Sequence, residues 1–171
     1  MSSGWLASAL CLLLISGDGR RGPPPPPRIT RVLVKKSART MDLYGGDMLI
    51  QTYSVAVGGG GAGPKLRDGD LVTPTGHYKV IKHLPSHLRI FMRIDYPNAE
   101  DRARFARLKA SGELPKEAAI GGDIGIHGAP PDQNPFVKAT YLSHGCVVVE
   151  NSEIDVIARM VADGTQVDIV D

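Results

Sequence analysis

Arg31-Val32-Leu33-Val34-Lys35, then Met41-Asp42-Leu43-Tyr44, then the run from Met48 to Val57 decide the fold class of this chain. Val32 and Val34 share one face of the first run, between Arg31 and Lys35, which is the period-two signature of a half-buried strand. Ser37-Ala38-Arg39 and Gly45-Gly46 supply turn residues between the runs, so the opening reads as a β-meander. Further along, Thr73-Pro74-Thr75-Gly76 supplies another turn, and strands are expected at His77 to Lys82 and Leu88 to Ile94. Asn98, followed by Ala99-Glu100-Asp101, predicts an N-capped helix to about Ala110, with Gly112 ending it. A second helix is expected from Asn151 or Ser152, because Ile154, Ile157, Ala158 and Val161 fall on one stripe before Gly164. Strands are also expected at Ile124 to His127, Cys146 to Val149 and Gln166 to Val170. The fold class is therefore mainly β, a sandwich or mixed sheet with two peripheral helices and no internal repeat.

At 171 residues the chain is long enough for one domain with a real core plus a short leader. Its net charge of +2 argues against a nucleic-acid surface, which needs a large basic patch. Trp5 to Ile15 is an apolar run with the length of a signal h-region, followed by small and polar residues from Ser16 to Gly19. No Lys or Arg lies between Met1 and Trp5, and Arg20-Arg21 follow the run, so residues 1–19 read as a secretion signal or an uncleaved N-terminal anchor. Five prolines, Pro23 to Pro27, make residues 20–28 a linker, either an extended spacer or a disordered stub, ahead of a domain at 29–171. The expected location is the periplasm or cell envelope, with membrane contact only through the N-terminal segment if that segment is retained.

Chemistry concentrates in His127-Gly128 and Ser143-His144-Gly145-Cys146. Once the leader is set aside with Cys11, Cys146 is a lone thiol facing an oxidising compartment, which invites a reactive role. A cysteine is only slightly ionised at neutral pH, so an imidazole that takes its proton is the minimum activating device, and His127 is the candidate. Gly145 removes bulk and permits an unusual turn that would aim consecutive N–H groups at an oxyanion. The reaction class expected from these parts is acyl transfer.

These segments resemble the L,D-transpeptidase catalytic domain (YkuD-like) family, whose signature is a His-Gly pair followed by Ser/Thr-His-Gly-Cys. The resemblance runs from about Ile29 to Val170 and includes Gly63-Pro64-Lys65 and the Thr73 to Gly76 turn. It implies an L,D-transpeptidase-like fold, with Cys146 as nucleophile, His127 as general base and the Gly128 carbonyl orienting the imidazole. Ser143 and His144 would shape the site, and Tyr96 and Tyr141 are candidates to border a substrate groove. The implied substrate is a peptidoglycan stem peptide cleaved on the carboxyl side of the L-centre of meso-diaminopimelate, with no metal or cofactor. Ile94 to Asn98, Gly122 to Gly128 and Glu150 to Ile154 look most like a branch that includes amidases releasing lipoprotein from peptidoglycan, which adds a lipoprotein lysine as a possible partner. Val148 departs from the Arg or Asn that many relatives carry two positions after the nucleophile.

Three other readings compete. Cys146 alone is compatible with a buried inert thiol. His127, His144 and Cys146 are zinc-ligand types, but their spacing is unusual for a structural zinc and no fourth ligand is evident. The third is a silent wall-binding module that holds stem peptides in the same groove without turnover. Gly58 to Gly61 lacks the Gly-Lys-Ser/Thr ending of a phosphate loop and reads as a loop near the cleft.

Overall fold

A computed structural model describes residues 28–130 and 143–171. The expected leader, most of the linker and Tyr141 lie outside these residues. Among the described residues, eight strands form one sheet: β1 (Arg31–Lys35), β2 (Thr40–Gly45), β3 (Met48–Ser54), β4 (Gly76–Ser86), β5 (Arg89–Ile94), β6 (Gly125–Gly128), β7 (Val147–Val149) and β8 (Gln166–Val170). Their spatial order is β3-β2-β1-β8-β4-β5-β6-β7. The meander β1-β2-β3 is antiparallel, and β8 returns from the C-terminus to pair parallel to β1 and antiparallel to β4.

The two outer strands do not remain separate edges. After β3, Ala56 exchanges backbone hydrogen bonds with Val148 (2.8 and 2.9 Å), and Gly58 bridges to Ser143. These bridges bend the sheet towards a barrel and satisfy edge groups that would otherwise invite pairing with another chain. The sequence run from Met48 to Val57 is therefore split: β3 ends at Ser54, and its continuation changes partner.

Two helices of the described residues sit at the periphery. In α1 (Ala99–Ala110) the Asn98 side chain accepts from the Glu100 and Asp101 N–H groups, while Asp101 accepts from the Asn98 N–H. That reciprocal box satisfies donors the helix cannot satisfy itself, and Gly112 at φ +79° follows its end. The second helix, α2 (Asn151–Met160), starts with Glu150 as its cap and buries Ile154 and Ile157. Those side chains join Val32, Val34, Met41, Leu43, Met92, Ile126, Val147, Val149 and Ile169 in one core. The two expected helices and the strand set are thus present, with β4 extending to Ser86, beyond the expected Lys82.

Candidate active site

Strand alternation sorts β5, β6 and β7 into a core face and a second face. Met92 pairs with Ile126, and Ile126 with Val147, all three buried in the core. Phe91 pairs with His127, and His127 with Val148, so these stand on the opposite face. Cys146 directly precedes β7, and its thiol lies within reach of the Gly125 N–H on the neighbouring strand that carries His127.

Each of the two groups is held by backbone. The His127 Nδ1 lies 2.6 Å from the Gly128 carbonyl oxygen, so Nδ1–H donates there and Nε2 is left as the acceptor. The imidazole also stacks on Phe91, with centroids 5.6 Å apart and planes 18° from parallel. The Cys146 thiol hydrogen-bonds to the Asp123 carbonyl at 3.6 Å rather than to the imidazole. Burial pushes the Cys146 thiol up, with Asp123 adding to the rise, while the Gly125 N–H and the Lys65 charge act in the other direction. Burial pushes His127 down, opposed by the Gly128 carbonyl and assisted by His87. Both shifts favour the uncharged forms, so the resting site holds a thiol and a neutral imidazole rather than a preformed ion pair.

The turn before Cys146 is internally tied. Ser143 Oγ accepts from the Gly145 N–H at 3.1 Å and donates to the Cys146 carbonyl at 2.6 Å. Gly145 adopts φ +131°, and a Cβ there would sit 2.9 Å from the Val72 carbonyl oxygen, so both conformation and space require glycine. Its own N–H points to Ser143. His144 is exposed on the turn.

A second loop braces this turn. Ser143 N–H donates to Val57 O (3.0 Å), Gly59 N–H donates to Ser143 O (3.1 Å), and Gly58 N–H donates to the buried Thr73 Oγ1 (2.7 Å). The glycine-rich stretch therefore packs directly beside the candidate nucleophile. Asp70 accepts from the N–H groups of Leu66, Arg67 and Val72 and pairs with Lys65 at 2.6 Å, which shapes the strap that leads into Val72 and Thr73. Lys65 is buried, with its side chain 2% exposed.

Of the residues singled out from sequence, Ser143, Gly145 and Cys146 share one turn, and His127 and Gly128 lie on the adjacent strand. Tyr96 is not part of that turn or strand: it is buried against Tyr78, its hydroxyl donates to Ile120 O at 3.2 Å, and it lines a neighbouring groove together with Arg93 and Asp123. Val148 is buried with Ala56 and Ala129, so the position that many relatives fill with a polar side chain is part of an apolar seam. Sequence reading did not single out Phe91, Asp123, Gly125 or Asp70 as site residues. Asp123 alone carried a faint local signal, a polar residue after two glycines; its φ of +55° is one that Asp tolerates better than most side chains.

Comparison with known proteins places this arrangement in a class. The family model for the L,D-transpeptidase catalytic domain, YkuD, matches residues 29–169, and the chain belongs to that family. Membership supports acyl-transfer enzymology of this general type. Among individual relatives, YafK of Escherichia coli K12 is 38% identical over 79 residues, covering 42% of this chain and 32% of that protein. YkuD of Bacillus licheniformis is 27% identical over 151 residues, covering 88% of this chain and 70% of that protein. The fold is similar to that of Pgp2, a helical cell shape determining protein of Campylobacter jejuni, with a TM-score of 0.61 at 22% identity over 82% of this chain and 47% of that one. It is also similar to Bd1075 of Bdellovibrio bacteriovorus, with a TM-score of 0.58 at 22% identity, over 84% of this chain and 48% of that chain. The match thus spans about a third of YafK and about half of each of these two solved chains.

Proposed function

We propose that the protein is an exported cysteine acyltransferase that acts on peptidoglycan stem peptides, with Cys146 as nucleophile and His127 as general base. The observation that supports this reading is the position of Cys146 directly before β7, next to the strand that carries His127, with Nε2 left as the free acceptor because Nδ1–H is committed to Gly128 O. Cys146 Sγ attacks the amide carbonyl at the L-centre of diaminopimelate while its proton passes to His127 Nε2. The carbonyl becomes a tetrahedral oxyanion, stabilised by backbone N–H groups of the His144 to Cys146 turn that Ser143 does not occupy. Collapse breaks the carbon–nitrogen bond, His127 returns the proton to the departing amine, and a thioester remains on Cys146.

A second nucleophile resolves the thioester. A diaminopimelate amine gives a cross-link, a lipoprotein lysine gives an anchored lipoprotein, and water gives trimming. Release of lipoprotein uses the same residues with lysine as the leaving amine. Residues 1–19 would direct the chain to the envelope or hold it there, and 20–28 would space the catalytic domain at 29–171 from the membrane.

Incubation with defined tri- and tetrapeptide muropeptides, followed by mass analysis of products, tests the assignment. A peptide-sized adduct on Cys146 and new cross-linked, trimmed or lysine-released products are expected. Binding of muropeptide with no adduct and no product would instead identify a silent wall-binding module.

A further inference from the structure

The face that carries Phe91 and His127 also carries an arginine. Arg93 pairs in register with Gly125, whose N–H reaches the Cys146 thiol on its other side. Arg93 and Cys146 are therefore two strand spacings apart, about 10 Å between backbones, with a residue lacking a side chain between them. Gly125 has no room for more: a Cβ there would lie 2.6 Å from Met92 O and 2.8 Å from the Phe91 ring.

Arg93 Nη2 pairs with Asp123 Oδ1 at 2.8 Å, at the mouth of a groove of about 570 Å³ that also takes in Arg102 and Asp95. Asp123 is also the residue whose carbonyl holds the Cys146 thiol, so one lining residue of this groove touches the candidate nucleophile directly. Its carboxylate side chain is 80% exposed, and its backbone sits at φ +55°. The Arg93 Nε is buried and has no hydrogen-bond partner among the described residues.

An ordinary surface ion pair contributes little to stability. Here the guanidinium side chain is 41% and the carboxylate side chain 80% exposed beside a groove, so both charges can be reached by a ligand, whereas the buried Arg93 Nε cannot. We propose that Arg93 and Asp123 form a specificity subsite for a zwitterionic α-amino-acid group carried on the substrate side chain, the carboxylate taken by Arg93 and the ammonium by Asp123. This rests on the acyl-transfer reading above. With the scissile carbonyl at Cys146, the D-centre of diaminopimelate carries such a group, a short methylene chain away from the reacting carbon. The planar guanidinium fork matches a carboxylate in two parallel hydrogen bonds, which a carboxamide cannot reproduce.

Thioester formation on Cys146 is to be timed with paired stem peptides that differ only at that group, one with a free carboxylate and one with a carboxamide. The unmodified protein should prefer the carboxylate about ten- to a hundredfold, and Arg93→Met should erase the preference. In parallel, Asp123→Asn should lose discrimination against a peptide that lacks the D-centre ammonium, which keeps the test alive if the first variant folds poorly. Equal carboxylate-to-carboxamide ratios in the unmodified protein and Arg93→Met, with ammonium discrimination intact in Asp123→Asn, would overturn the subsite while leaving the acyl-transfer reading standing. A complete lack of thioester with every peptide would overturn both.

Discussion

Burial pushes Cys146 up and His127 down, so neither side chain carries charge at neutral pH. Attack must then be coupled to proton transfer, and two pH profiles should separate. Direct alkylation of Cys146 by iodoacetamide, which needs thiolate, should rise with a midpoint above that of an ordinary thiol. Acylation by a carbapenem, which needs neutral His127, should lose rate on the acid side only below the usual imidazole range, because a lowered value keeps the base free to lower pH. The charged groups that act on Cys146 are Lys65 and Asp123, and His87 acts on His127, so the profiles belong to that whole set. Alkylation that is already complete well below the ordinary thiol range would point to a preformed ion pair instead. His127→Ala should slow acylation by about a hundredfold or more, measured by stopped-flow or intact mass. Ser143→Ala removes the hydroxyl that joins the Gly145 N–H to the Cys146 carbonyl. A loss of about 1 kcal/mol in thermal unfolding is expected, together with slower acylation.

At the scale of elements, the strap from Lys65 to Thr73 is held by one carboxylate. Four groups donate to Asp70, and one of them is the ammonium of the buried Lys65. Asp70→Asn would leave that ammonium buried without its counter-charge, and a loss of about 3 kcal/mol is expected in chemical denaturation. Gly145→Ala should also damage the site, because φ +131° and the Val72 carbonyl at 2.9 Å both oppose a methyl group. The elements themselves were largely legible in the sequence. Asn98 and Gly112 marked both ends of α1, and the stripe of Ile154, Ile157 and Val161 marked the buried side of α2. His127 and Cys146 were legible as chemistry through their neighbours, His127-Gly128 and Ser143-His144-Gly145-Cys146. Phe91 and Arg93 were not, because their relation to His127 and Cys146 comes from strand register, which local periodicity does not encode. The switch at Ser54 was hidden for a similar reason: Met48 to Val57 keeps strand-forming residues throughout, while the partner changes from β2 to β7.

Across the whole molecule, closure of the sheet depends on the seam between Ala56 and Val148. Val148→Arg would force a charge between Ala56 and Ala129, and a loss of about 3 kcal/mol or more is expected. Acid should weaken the same fold through its carboxylates. Burial pushes Asp42, Asp70 and Asp168 up, but Lys35, Lys65 and His77 respectively, with further hydrogen-bond donors, hold each below the ordinary value. Their contribution is present above the unfolded carboxylate value of about 3.9 and is lost as pH falls through the folded values. Thermal midpoints should therefore decline below about pH 4, and a flat profile to pH 2 would show that these pairs contribute nothing. The enzymatic claim is tested most directly by the intact mass of the protein after incubation with a tetrapeptide muropeptide. A thioester-sized gain that maps to Cys146, is missing in Cys146→Ala and forms slowly in His127→Ala is predicted. Turnover that persists in Cys146→Ala, or an adduct that forms equally fast without His127, would contradict it.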